Sequence, residues 1–93
     1  MAIVFDPAKR EATLATRGLD FADAAAVFGG VTLTLPDLRR DYGEERWQTY
    51  GLLEGRLVML VWTARGEDRH VISMRKCNDR EQAHYGEQLG RPG

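Results

Sequence analysis

The sequence predicts an α+β domain: an antiparallel curled sheet with two N-terminal helices and one C-terminal helix, in the order β-α-α-β-β-β-β-α. Three observations carry this. Helix-start signals stand at Asp6-Pro7 and at Asn78-Asp79-Arg80-Glu81, the second with the Asn-x-x-Glu spacing of a reciprocal cap. Apolar and polar side chains alternate through Val31–Leu35, as in a half-buried strand. Strand-like segments between Arg46 and Arg75 are joined by very short turns, which makes neighbours antiparallel.

Ala2–Phe5 reads as a short opening strand. Asp6 then caps a helix, and Pro7 suits its first position because that N–H would go unpaired anyway. The helix runs to Arg17 and stops at Gly18, which takes the left-handed conformation without strain. Asp20 caps a second helix whose Phe21, Ala24, Ala25 and Phe28 share a face, and Gly29-Gly30 ends it. Both helices are expected to cover the sheet, with the helices of the domain on one face of it. Val31–Leu35 is closed by Pro36, and residues 37–45 form a charged loop. Strands follow at Arg46–Leu53, Leu57–Arg65 and Arg69–Arg75, with turns at Glu54-Gly55 and Gly66-Glu67-Asp68. The last helix spans Asp79–Gln88, so residues 1–89 make one domain and 90–93 a frayed tail.

Period two sorts the last strand into Arg69, Val71, Ser73 and Arg75 on one face and His70, Ile72 and Met74 on the other. The second set reads as core, which gives His70 a half-buried structural role. Pairing Arg65 with Arg69 across the turn puts Arg65, Ser73 and Arg75 on one side, and a one-residue slip reverses that.

The 93 residues carry a net charge of −1, which argues against a strong non-specific polyanion binder. The charge is uneven: residues 1–45 hold five cations and eight anions, residues 46–93 eight cations and six anions. Eleven of the thirteen cations are Arg, the residue that grips phosphate oxygens two at a time. One cysteine, Cys77, and two distant histidines, His70 and His84, form no recognisable metal site and no internal disulfide. Neither a bilayer-length apolar run nor a signal peptide is present, so a cytoplasmic protein without metal or cofactor is expected.

Ile3-Val4-Phe5-Asp6-Pro7-Ala8-Lys9-Arg10, Gly18-Leu19-Asp20-Phe21-Ala22-Asp23, Val27-Phe28, Arg46, Gly51, Thr63, Arg65-Gly66, Val71-Ile72-Ser73-Met74-Arg75-Lys76, Glu81 and Tyr85 follow one another in a recognisable order. In these residues the chain resembles the BrnT family of toxins from type II toxin–antitoxin pairs. The resemblance implies a RelE-like fold and a metal-independent endoribonuclease that inhibits translation and growth. It also implies a BrnA-like antitoxin, whose ribbon-helix-helix segment dimerises and contacts operator DNA itself. Two toxins held by an antitoxin dimer are the expected assembly.

Metal-free RNA cleavage requires a 2′-hydroxyl to lose its proton, a phosphorane to be stabilised, and the leaving 5′-oxygen to be protonated. Arg46, Arg65 and Arg75 fall where the family pattern has arginine and are the candidates for holding the scissile phosphate. They are expected to converge from separate strands on the uncovered side of the sheet. The bland reading pairs them with Glu44, Glu45, Glu67 or Glu81. Glu81 joins the candidates as a base if desolvated, although its capping box already accounts for it. Arg17, Lys76 and Tyr85 are candidate substrate contacts, with sheet-edge packing the other reading of Tyr85. The family's first helix usually ends Asn-x-x-Lys-His-Gly, where this chain reads Thr13-Leu14-Ala15-Thr16-Arg17-Gly18. The departure leaves a second function open: a catalytically degenerate toxin fold that binds an antitoxin or RNA without cleaving.

Overall fold

The computed structural model describes residues 2–89; the predicted tail, 90–93, lies outside them. The elements are β1 (Ile3–Phe5), α1 (Pro7–Arg17), a 3-10 turn (Phe21–Asp23), α2 (Ala24–Phe28), β2 (Thr32–Pro36), β3 (Trp47–Leu53), β4 (Arg56–Arg65), β5 (Asp68–Lys76) and α3 (Asp79–Tyr85). Local chemistry sets the helix ends. Asp6 accepts from Ala8 N at 2.9 Å, Gly18 closes α1 at a φ of 69°, and Asn78 and Glu81 exchange both bonds of a capping box. The second helix is broken into a turn and a five-residue helix, so its buried stripe is Phe21, Ala24 and Val27 rather than one through Ala25. At the β3–β4 hairpin Glu54 and Gly55 both take positive φ, as a twisted two-residue turn demands.

The five strands lie in the order β1-β5-β4-β3-β2. β2 to β5 form the expected antiparallel meander, but β1 runs parallel to β5 through Ile3↔Arg69, Val4↔His70 and Phe5↔Val71. The sheet is therefore mixed rather than antiparallel throughout. A helical crossover after β1 removes the hairpin constraint that keeps the other neighbours antiparallel.

Both faces of the sheet are packed. On one, Leu19, Phe21, Ala24 and Val27 meet Val58, Leu60, Val71 and Met74. On the other, Tyr50, Leu57, Met59 and Val61 are covered by Cys77, Tyr85 and Leu89 around α3. The expectation of helices on a single face is thus corrected. Gly51 permits the first packing: a Cβ there would stand 2.7 Å from Val27 Cγ1 and 3.1 Å from Thr32 Cγ2.

α1 departs from its expected role as core cover, since none of its residues is buried and Leu14 is 44% exposed. It is held by polar contacts instead. Arg10 forks onto Asp20 at 2.7 and 2.8 Å, and Arg17 Nη1 donates to Met74 O at 2.9 Å. The Arg10 fork lowers the Asp20 carboxyl to about 2. With β1 pairing only the start of β5, α1 lies beside the strand's remaining edge.

Candidate active site

The β4–β5 pairing determines which side chains can meet. Arg65 pairs with Asp68, one residue tighter than the register expected from sequence, and Thr63 pairs with His70. An irregularity between Val61 and Trp62 then absorbs one extra residue of β5, at Ile72, so that Val61 pairs with Ser73 and Met59 with Arg75. The two differences cancel beyond the bulge. Cross-strand partners share a face, so Arg65, His70, Ser73 and Arg75 all lie on the α3 side with Met59 and Val61.

His70 is therefore separated from Met74, which is buried on the helix side with Val71. Arg69 moves to the helix side as well. Its guanidinium lies 4.0 Å from the Phe28 ring centroid and 5.2 Å from that of Trp62, and its Nε is buried without a hydrogen bond.

At the α3 end of this face, Arg75 is committed. Its Nη1 and Nη2 donate to the two Glu81 oxygens, each at 2.7 Å. Glu81 also accepts from Asn78 N at 3.0 Å. The Arg75 fork holds the Glu81 carboxyl at about 2; burial opposes it, and the Asn78 amide adds a smaller lowering effect. A carboxylate so satisfied is a poor base. Beside it Tyr85 stacks on Tyr50 at 4.2 Å, His84 meets Tyr85 edge-on at 4.6 Å, and burial pushes the Tyr50 phenol up to about 12. Lys76 belongs to the opposite face, where it lines a depression with Gly18, Asp23, Glu54 and Arg56.

The hairpin end of the same face is open. Arg65 is exposed and makes no ion pair among the described residues. Thr63 Oγ1 donates to Glu45 O at 2.7 Å and pins the charged loop beside it. This brings Arg46 to the same corner, where it lies 4.1 Å over the Tyr42 ring and donates Nε to Glu44 at 3.0 Å. The loop is braced further in by Asp37, whose side chain accepts from Arg39 Nε and Nη2 at 2.8 Å each and from the Tyr42 hydroxyl at 3.2 Å.

His70 sits half-buried at this corner, with Arg65, Glu44, Lys9 and Asp6 as its charged neighbours. Burial and then Arg65 lower its pKa below 6.5. Next to the corner a shallow cleft of about 250 Å³ runs between α1 and β5, lined by Lys9, Ala12, Thr13, Thr16, Arg17, Ile72 and Ser73. No three His, Cys, Asp or Glu side chains cluster to hold a metal ion among the described residues. None of the described helices is long and apolar enough to cross a membrane.

Residues 5–81 match the family described as the ribonuclease toxin BrnT of type II toxin–antitoxin systems. The chain belongs to the BrnT family. None of the curated proteins compared with it matches. A type II toxin works against an antitoxin partner, and the matched span contains both ends of the open face.

For a BrnT toxin, this geometry gathers the predicted residues unequally. Arg46 and Arg65 share the hairpin corner. Arg75 does not: its partner Met59 lies six positions from Arg65 along β4, about 20 Å at roughly 3.3 Å per residue. The expected convergence of three guanidiniums on one phosphodiester is thus corrected. The pairings with Glu44 and Glu81 expected on the bland reading are present for Arg46 and Arg75, while Arg65 has none among the described residues. Arg17 lines the cleft, although one of its donors is spent on Met74 O. Strict alternation places His70 in the core with Met74; only the bulge separates them, and a bulge at Ile72 has no glycine to announce it.

Proposed function

We propose that this BrnT-family toxin is a metal-independent endoribonuclease whose RNA backbone lies along the open face of β5. The observation that carries the reading is the hairpin corner, where an unpaired Arg65 stands beside Arg46, Lys9 and His70. Arg65 and Lys9 hold the scissile phosphate, with Arg46 presented against it by Tyr42 and Glu44. These guanidinium and ammonium groups supply the positive charge that a metal ion supplies in other nucleases. Arg17 and the α1 cleft extend the groove. Arg75, aimed by Glu81, meets a neighbouring stretch of backbone, with Tyr85 beside it. Lys76, on the other face, is not part of this groove.

Cleavage of cellular RNA in the cytoplasm then stops translation and growth. A BrnA-like ribbon-helix-helix antitoxin neutralises the toxin, two of each in the complex, with operator DNA bound by the antitoxin alone. A RelE-like fold agrees with the sheet and its helix-covered face.

The test is incubation of purified, partner-free protein with RNA in EDTA. The expected outcome is internal cleavage, with growth arrest on expression relieved by the antitoxin and a light-scattering mass of a two-plus-two complex. A non-cleaving antitoxin-binding or RNA-binding module is the second reading. It is favoured by Thr16, whose hydroxyl turns back to Ala12 O at 2.7 Å, and by the tethered Arg17. Intact RNA after incubation with folded protein selects it.

A further inference from the structure

Metal-free cleavage lacks a proton acceptor in everything assigned so far. Glu81 is held at about 2 with its oxygens occupied. Burial pushes the Cys77 thiol up to about 11 and the Tyr50 phenol to about 12. His84 lies on α3 against Tyr85, far along the face from Arg65. The positions where the family carries Lys-His hold Thr16 and Arg17 here.

His70 is placed differently from all of these. It stands in an interior strand, between Val4 of β1 and Thr63 of β4, so its backbone is fixed from both sides. Its side chain shares the open face with Arg65 and Ser73 and makes no hydrogen bond among the described residues. The charged groups facing it are Arg65 from the end of β4, Glu44 from the loop before β3, and Lys9 and Asp6 from the start of α1. Two cations and two carboxylates thus surround an imidazole that makes no hydrogen bond among the described residues, on a strand fixed from both sides.

We infer that His70 is the general base of this toxin, an inference that rests on the ribonuclease reading above. The free imidazole nitrogen takes the proton of a 2′-hydroxyl while Arg65 and Lys9 hold the non-bridging oxygens. The 2′-oxygen forms a bond to phosphorus and the bond from phosphorus to the 5′-oxygen breaks. Water protonates the departing 5′-oxygen, and the imidazolium returns its proton to solvent. The products are a 2′,3′-cyclic phosphate and a 5′-hydroxyl. Burial and the neighbouring Arg65 keep the ring neutral at neutral pH, which is the form a base requires.

The test uses the full, partner-free chain and a short RNA in EDTA, with rates measured from pH 5 to 9. Wild type should show an acid limb with an apparent pKa below about 6.5, flattening above it, and cyclic-phosphate ends. His70→Gln should lower the rate about a hundred- to ten-thousand-fold and abolish the acid limb. Its affinity for a 2′-deoxy-substituted RNA, read by fluorescence anisotropy, should stay within about threefold, because no phosphate contact is removed. An acid limb missing from the wild-type profile overturns the assignment without recourse to any variant. So does a His70→Gln rate within threefold of wild type. Either result with RNA still cleaved leaves the ribonuclease reading standing; absence of wild-type cleavage at every pH overturns both.

Discussion

The two ends of the open face of β5 carry similar residues in opposite states. At the α3 end Arg75 is forked onto Glu81, and Glu81 is simultaneously the reciprocal cap of α3. At the hairpin end, among the described residues, Arg65 makes no ion pair even with Asp68, its cross-strand partner, and the neighbouring imidazole makes no hydrogen bond. A guanidinium used to hold a helix has little left for a ligand; one left unpaired on a fixed strand has all its donors available. On the proposed reading, commitment, more than residue type, decides which arginine carries the larger share of phosphate binding.

The sharpest way to break the comparison is to remove the free arginine. Arg65→Ala is expected to slow RNA cleavage about 100-fold, equivalent to about 2.7 kcal/mol of transition-state stabilisation at roughly 1.36 kcal/mol per tenfold. The thermal midpoint should barely move, because an exposed side chain without an ion pair contributes little to folding. Arg65→Lys should recover only part of the rate, since an ammonium cannot make the two-pronged contact. A destabilised variant with full activity would reverse the assignment of the two ends.

Arg75→Ala should behave in the opposite way. It strands the Glu81 carboxylate, and the loss is expected to be about 1–2 kcal/mol of stability, below the value for a fully buried pair because the Arg75 side chain is 35% exposed. Cleavage by the folded fraction should fall less than tenfold. Chemical denaturation and single-turnover rates on the same preparation separate the two effects. The pair also predicts acid sensitivity. Glu81 titrates at about 2 when folded against 4.5 unperturbed, so its contribution is complete above about pH 5 and is lost as pH falls towards 2. Asp37, also held at about 2 by Arg39, adds to the same limb. Glu81→Gln should flatten that part of the stability profile.

Most of the fold was legible because its signals are local. Asp6-Pro7, Gly18, Asn78-x-x-Glu81 and Glu54-Gly55 each fix a boundary through their own hydrogen bonds or dihedral angles. What was hidden depends on contacts distant in sequence. The parallel pairing of β1 with β5 is set by tertiary packing, and nothing in Ile3-Val4-Phe5 states it. The polar attachment of α1 through Arg10 and Arg17 reads in sequence as ordinary surface charge. The site was legible in part: arginines were identified by type, but the bulge at Ile72 moved His70 into view, and the length of β4 moved Arg75 out of reach of Arg65. Gly51 carries no signal of its own in the sequence, because its reason is the approach of Val27 from a distant element.

Asn78→Ala tests the α3 end more gently. It removes one half of the capping box and leaves the Arg75 fork in place, so about 1 kcal/mol of stability should be lost. Hydrogen exchange should quicken in α3 while amides at the hairpin end keep their protection. Equal loosening at both ends would mean that the open face is one cooperative unit, and the contrast drawn above would lose its physical basis.

The smallest expected effect belongs to His70 and distinguishes the ends by pH. Its folded pKa lies below the unfolded value, so the unfolded chain binds the proton first as pH falls through 6.5. The neutral ring therefore contributes stability that is complete above that pH and is lost as pH falls through the folded pKa. A shallow decline in thermal midpoint should begin near pH 6.5, well before the carboxylate limb near 4.5, and His70→Gln should abolish only the first. If the shallow limb survives that substitution, the imidazole is not desolvated at the hairpin corner. The two ends of the face would then differ in their arginines alone.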